Sequence, residues 1–114
     1  MNTNLSLFNN NMSLFLIDLI ELFPTNSKLQ EAKKNQDIII MMNSEYTIKM
    51  FKNNLYMYKK DIIEHNEKII KKNTFLNTMN ISVLWDSLNN ENREICWKYL
   101  ECFVVLCNKY YDNI

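Results

Sequence analysis

Apolar residues recur at three- and four-residue intervals along most of this chain, a spacing typical of amphipathic α-helices. The clearest stripe lies in the middle third, where the alternating steps form a heptad seam. Its members are Ile48, Phe51, Leu55, Tyr58, Ile62, His65 and Ile69. One continuous helix over residues 45–72 would be about 42 Å long. The Asn53-Asn54 pair is where it would break, so the pattern leaves open one helix or two.

Two helices are predicted before the seam. The first runs from Ser13, a suitable N-cap, to Phe23, because the residue before Pro24 avoids the α region. The second begins at Ser27 in a capping-box pattern and ends in the apolar run 38–42. That run also fits a short buried strand, but we favour a helix because no second strand is predicted to pair with it.

The C-terminal third carries a short helix over residues 81–88 and a long one from Glu91 to about Tyr111. The long helix is apolar on most sides, which is typical of a domain centre or a subunit interface. Because a small domain rarely surrounds one helix fully, we expect self-association, or binding of a protein partner, through this helix. The candidate interface residues are Trp97, Leu100, Val104 and Tyr111.

These segments predict an all-α fold, a compact bundle of four to five helices with the C-terminal helix central. Residues 1–11 are rich in asparagine and without a clear period, so we expect a loose N-terminal arm there. Residues 12–114 are then a single helical domain, since no repeat or Gly/Ser linker divides them.

Glycine is absent from all 114 residues, whereas asparagine occurs nineteen times and lysine twelve times. Phosphate-binding loops and nucleophile elbows need glycine where the backbone turns tightly or approaches a ligand, so both are excluded. The bias toward Asn, Lys and Ile also indicates an AT-rich genome, because their codons are AT-rich.

Cellular location follows from what the sequence lacks. No stretch is long and apolar enough to span a bilayer, and no signal peptide is recognisable. Cys96, Cys102 and Cys107 are odd in number and share one predicted helix, where pairing is geometrically poor. We therefore expect a cytoplasmic protein, in a host cytoplasm or virion interior, that is neither secreted nor membrane-bound.

Candidate catalytic and metal chemistry is sparse. His65 shares a helical face with Asp61, but a di-iron bundle needs two Glu-x-x-His pairs and the chain has one histidine. The three cysteines lack a CxxC pair, and thiols inside an apolar helix are inert as nucleophiles. We expect no cofactor, no metal and no enzymatic activity, with His65 a polar residue of the seam.

A lysine edge within residues 44–72 offers an alternative function. Lys59, Lys60, Lys71 and Lys72 would contact phosphates, with Tyr46 and Tyr56 as stacking partners. Against this, the formal net charge is zero and the chain has one arginine, the residue that most often reads bases. Nucleic acid is therefore a possible partner but not the favoured one.

The C-terminal sequence ISVLWDSLNNENREICWKYLECFVVLCNKYY, with the upstream Leu-Phe-Pro and the Asn/Ile/Lys bias, resembles short helical proteins of AT-rich large DNA viruses of the mimivirus-like kind. The resemblance implies a viral source and a small helical architecture. It brings no assigned activity, so no functional residue transfers.

The sequence favours a small non-enzymatic protein-interaction or structural protein, such as an adaptor or virion component. A non-specific nucleic-acid-associated accessory protein is the alternative.

Overall fold

Two long helices, near the two ends of the chain, form the centre of the structure. The computed structural model describes residues 2–112 and shows no strand among them. Helix α1 spans Thr3–Leu22, α2 Ser27–Met42, α3 Tyr46–Asn54, α4 Lys59–Ile63, α5 Lys68–Lys72, α6 Thr74–Thr78, α7 Ile81–Leu84 and α8 Asn90–Tyr110. Short 3-10 turns occupy Tyr56–Tyr58 and Trp85–Ser87.

The all-α prediction and the central position of the C-terminal helix are confirmed. Helix α8 packs against α1 on one side and against α4 on another. Phe103 of α8 meets Phe8 and Phe15 of α1 and Phe51 of α3, with ring centroids 5.0–6.0 Å apart. These aromatic contacts join three helices in one hydrophobic core.

The prediction of a loose N-terminal arm is wrong, because α1 begins at Thr3 rather than Ser13. The Asn2 side chain caps the helix by accepting hydrogen bonds from the backbone N–H groups of Asn4 and Leu5. Leu5 and Phe8 are buried, so the first turns of α1 belong to the core. Burial of these two apolar side chains outweighs the low helix propensity of the surrounding asparagines.

The heptad seam predicts the buried face but not the continuity of the helix. Ile48, Phe51, Leu55, Ile62 and Ile69 are buried, whereas the seam residue Tyr58 is 40% exposed, so the prediction is wrong at that position. The backbone nevertheless leaves the helix after Asn54, at the predicted weak point, and again near His65, whose φ is 55°. The described chain therefore has more segments than the four to five helices expected.

These breaks let short helices fold back over α8. The structure contains two further positive-φ residues besides His65 in its described part, Asn80 at 61° and Asp112 at 59°. Asparagine and aspartate tolerate this conformation better than most residues, so they can stand where glycine is common at these two positions. Within residues 2–112, no helix is both long and apolar enough to cross a membrane.

Candidate interaction surface and adjacent groove

The predicted interface on α8 faces the inside of the molecule. Trp97, Leu100 and Val104 are buried against the chain's own elements, and Tyr111 is half-buried with Lys52 Nζ 4.5 Å from its ring centroid. The first three side chains are not available to a partner, so the prediction that this face binds one is wrong for this structure. The reason is that the short segments after α3 cover α8 more completely than expected of a small domain.

His65 holds one of these segments against α8. Its ring lies parallel to Trp97, with centroids 4.9 Å apart and an interplanar angle of 2°. Its Nε2 lies 2.9 Å from Glu101 Oε1 and its Nδ1 3.6 Å from Glu94 Oε1. This position tolerates a positive φ because the ring and two carboxylates fix it from outside its own segment.

The stack continues beyond Trp97. Trp85 meets Trp97 edge-on at 5.4 Å, and the Arg93 guanidinium lies 5.4 Å from the centroid of Trp85. Among residues 2–112, no group of three or more His, Cys, Asp or Glu side chains could hold a metal ion. Within the described chain, the His65 ring stacks on Trp97 and its Nε2 is within hydrogen-bond distance of Glu101 Oε1.

The three cysteines are free thiols on α8. Burial raises the pKa of Cys96 to about 12 and that of Cys107 to about 11. Burial also raises the pKa of Cys102, which is only half-buried. Thiolate is the nucleophilic form, so this environment disfavours nucleophilic chemistry at Cys96 and Cys107 most strongly.

The four candidate phosphate-binding lysines have different surroundings. Lys71 Nζ lies 2.6 Å from Asp86 Oδ2, and this hydrogen-bonded ion pair lowers the pKa of Asp86. Lys59 Nζ lies 4.8 Å from the centroid of the Tyr56 ring. Lys60 and Lys72 are exposed. Two of the four lysine ammonium groups, those of Lys59 and Lys71, thus already contact other side chains of the protein.

An open cleft of about 440 Å³ contains Lys68 and Lys72 and the exposed Tyr58. Its other lining residues include Asp61 and Asn66, whose side chains are hydrogen-bonded to each other at 3.1 Å. The cleft therefore carries charges of both signs, and it lacks the single-sign field that concentrates an anionic ligand.

An apolar surface lies where sequence analysis expected only the end of a helix. We call Ile38, Met41 and Met42 the methionine face; they are 45%, 87% and 82% exposed. Positions i, i+3 and i+4 share one side of a helix, here the side opposite to the buried Leu29 and Gln36. The sequence contains evidence for this surface. Residues 38–42 are all apolar and point to every side of the helix, whereas only one side can be buried.

A groove of about 280 Å³ lies between α1, α2, α3 and α6, beside the methionine face. Ile39, one helical turn before Met42, lines it together with Gln36 and Thr47. The Gln36 side chain is buried, and its Oε1 accepts a hydrogen bond from Thr47 Oγ1 at 2.7 Å. Its Nε2 has no hydrogen-bond partner among the described residues. Sequence analysis did not identify Gln36, because nothing in the polar first part of α2 distinguishes this glutamine from an exposed one.

The chain matches no protein-family model, no curated protein and no solved structure. Function has to be inferred from these surfaces themselves, because no related site supplies an analogy.

Proposed function

We propose that this chain is a small non-enzymatic protein that works through protein–protein association, and that the methionine face is its contact surface. The observation that supports this proposal is the exposure of Met41 and Met42, at 87% and 82%, on one side of α2. Isolated exposed apolar residues are ordinary, but a group of three on one helix face is typical of interaction sites.

The chemistry of the face suits an adaptable contact. Methionine is unbranched and has a polarisable sulfur, so it packs against partners of different shape. Ile38 adds a rigid side chain one turn earlier on the same side. Burying these side chains removes apolar area from water, which is the main favourable term in association.

The first partner we propose is a second copy of the chain. A two-fold symmetric contact places the same patch on both sides, and an apolar patch is complementary to itself. The formal net charge at pH 7 is zero, so two copies approach without overall repulsion. The patch is small beside the 20–30 residues a side of a standard stable interface, which predicts a weak, concentration-dependent dimer.

Sedimentation equilibrium of matched variants tests the proposal. Met41→Gln/Met42→Gln removes the apolar groups while retaining good helix formers. Val83→Gln is the control, because Val83 is an exposed apolar residue, at 64%, on another helix. We expect the wild type and the control to dimerise alike, and the double variant to associate about tenfold more weakly.

Two results would argue against the proposal. A wild-type protein that remains monomeric at the highest soluble concentration excludes the second copy as the partner. Dimerisation that is equally strong in the double variant places the contact elsewhere on the surface.

The nucleic-acid alternative is separated by a titration with duplex and single-stranded DNA. Electrostatic binding weakens steeply with salt, and it would be lost in Lys60→Glu/Lys72→Glu, which changes two exposed lysines and leaves the Lys71–Asp86 pair intact. Under our proposal, no binding is expected even at low salt. The amino-acid bias toward Asn, Lys and Ile further supports a virus-encoded or similarly AT-rich source.

A further inference from the structure

We infer that Met41 and Met42 are a site of reversible oxidation by peroxides, and that their conversion to sulfoxides switches off the contact made by the methionine face. The effect on association rests on the proposed function, in which this face is the contact surface. The modification itself rests on the exposure of the two side chains, 87% and 82%.

Exposure separates these two methionines from most of the others in residues 2–112. Met12 and Met79 are 1% and 6% exposed, and Met50 is half-buried. A peroxide has to touch the sulfur that it oxidises, so a buried methionine reacts only when the chain opens. Met57 is 64% exposed, but it lies in the 3-10 turn after α3 and not on the methionine face. It therefore serves as an internal reference for an accessible methionine.

The reaction needs no catalytic group from the protein. The sulfur lone pair attacks the terminal oxygen of a hydroperoxide, the S–O bond forms, and the O–O bond breaks. The hydroxyl proton passes to the leaving alkoxide, so the products are a sulfoxide and an alcohol. Methionine loses two electrons and the peroxide gains them. In the return reaction, methionine sulfoxide reductases use two thiols, which become a disulfide while the sulfoxide becomes a thioether and water.

A sulfoxide changes what the methionine face offers to a partner. It replaces a flexible apolar group with a polar one, and its oxygen needs water or a hydrogen-bond donor when it is buried. A two-fold contact pairs the face with itself, and the side chains of Ile38, Met41 and Met42 carry no donor. Oxidation therefore opposes association. By linkage, association protects the same sulfurs from the oxidant.

The first measurement is the rate of sulfoxide formation at each methionine during treatment with tert-butyl hydroperoxide, followed by peptide mass spectrometry. A Cys102→Ser background removes the half-buried thiol, which peroxides can also oxidise. We expect the two methionines of the face to oxidise at least about tenfold faster than Met12 and Met79.

Protein concentration separates the modification from the association. As the dimer forms, the oxidation rate at Met41 and Met42 should fall in proportion to the remaining fraction of monomer, whereas the rate at Met57 should stay constant. Rates at the face that are independent of protein concentration would refute the proposed contact, although the face would still be the preferred site of oxidation.

The variant Met41→Leu/Met42→Leu isolates the two sulfurs. Leucine keeps the apolar character, approximate size and helix propensity of methionine, but it has no sulfur to oxidise. In sedimentation equilibrium, treatment should weaken association of the Cys102→Ser protein about tenfold. The leucine variant in the same background should associate equally before and after treatment. Methionine sulfoxide reductases for both sulfoxide epimers should restore the original dissociation constant.

Three results would overturn the inference. They are oxidation of the face no faster than that of Met12 and Met79, association that is unchanged after both methionines of the face are oxidised, and association that weakens equally in the leucine variant. A protein that is monomeric before treatment would instead refute the proposed association. The order of oxidation would then still decide whether the face is a modification site.

Discussion

The hydroxyl of Tyr99 donates a hydrogen bond to Asp18 Oδ2 at 2.5 Å, joining α8 to α1. The Tyr99 ring also stacks on Phe15, with centroids 4.7 Å apart. Burial, together with the hydrogen bond to Asp18, raises the pKa of Tyr99 to about 12. The pair therefore stabilises both the helix contact and the neutral phenol.

Tyr99→Phe is expected to lower the free energy of unfolding at pH 7 by about 1 kcal/mol, the usual net worth of a hydrogen bond. A phenol pKa that is higher in the folded than in the unfolded chain gives stability that is complete below about pH 10 and lost as pH rises toward 12. The variant should therefore lose less stability than the wild type over that window. Urea denaturation at several alkaline pH values measures this, and parallel losses in both proteins would refute the assignment.

Much of the fold could be predicted because apolar spacing reports burial directly. The seam residues Ile48, Phe51 and Ile62 lie in the core although the segment that carries them is divided into several helices. Spacing constrains which side chains point inward. It does not determine whether the backbone between them stays helical, since that depends on tertiary contacts such as the stacking of His65 on Trp97.

The candidate site was harder to predict because exposure depends on the whole chain. Trp97, Leu100 and Val104 would face outward only if nothing covered α8, but they are buried. The sequence predicts one helix or two over residues 45–72, not the several short segments that cover α8. The partnerless Gln36 Nε2 arises from packing between helices distant in sequence. No local pattern carries that information.

His65 allows a sharp test of backbone conformation. Both His65→Ala and His65→Gly remove the ring that stacks on Trp97, but only glycine adopts φ 55° without steric cost. We expect the glycine variant to be more stable than the alanine variant by about 1 kcal/mol in urea denaturation. In an ordinary helix the order is reversed, so a more stable alanine variant would contradict the structure at this residue.

The helical N-terminus is tested by two neighbouring residues. Phe8 is fully buried among Phe51 and Phe103, whereas Leu7 is 44% exposed. Phe8→Ala should cost about 3–5 kcal/mol of unfolding free energy, and Leu7→Ala less than about 1 kcal/mol. Similar small losses of stability in both variants would support the loose N-terminal arm that the sequence predicts.

The cysteines should differ in reactivity. Alkylation by iodoacetamide at pH 8 needs thiolate, and burial raises the pKa of Cys96 to about 12 and that of Cys107 to about 11. Half-buried Cys102 should be modified first, and the other two only when the chain unfolds. Peptide mass spectrometry over a time course follows each site. Equal rates at Cys96 and Cys102 in the folded protein would contradict this order.

Cross-linking at position 42 tests the proposed contact surface most directly. In a Cys102→Ser background, Met42→Cys and Val83→Cys each place one thiol at an exposed apolar position, 82% and 64% exposed in the wild type. A short bismaleimide should link two chains through position 42 at protein concentrations where association is measurable, and should leave the position 83 variant monomeric. Equal or greater cross-linking at position 83 would contradict the account that the methionine face is where this protein makes its contacts.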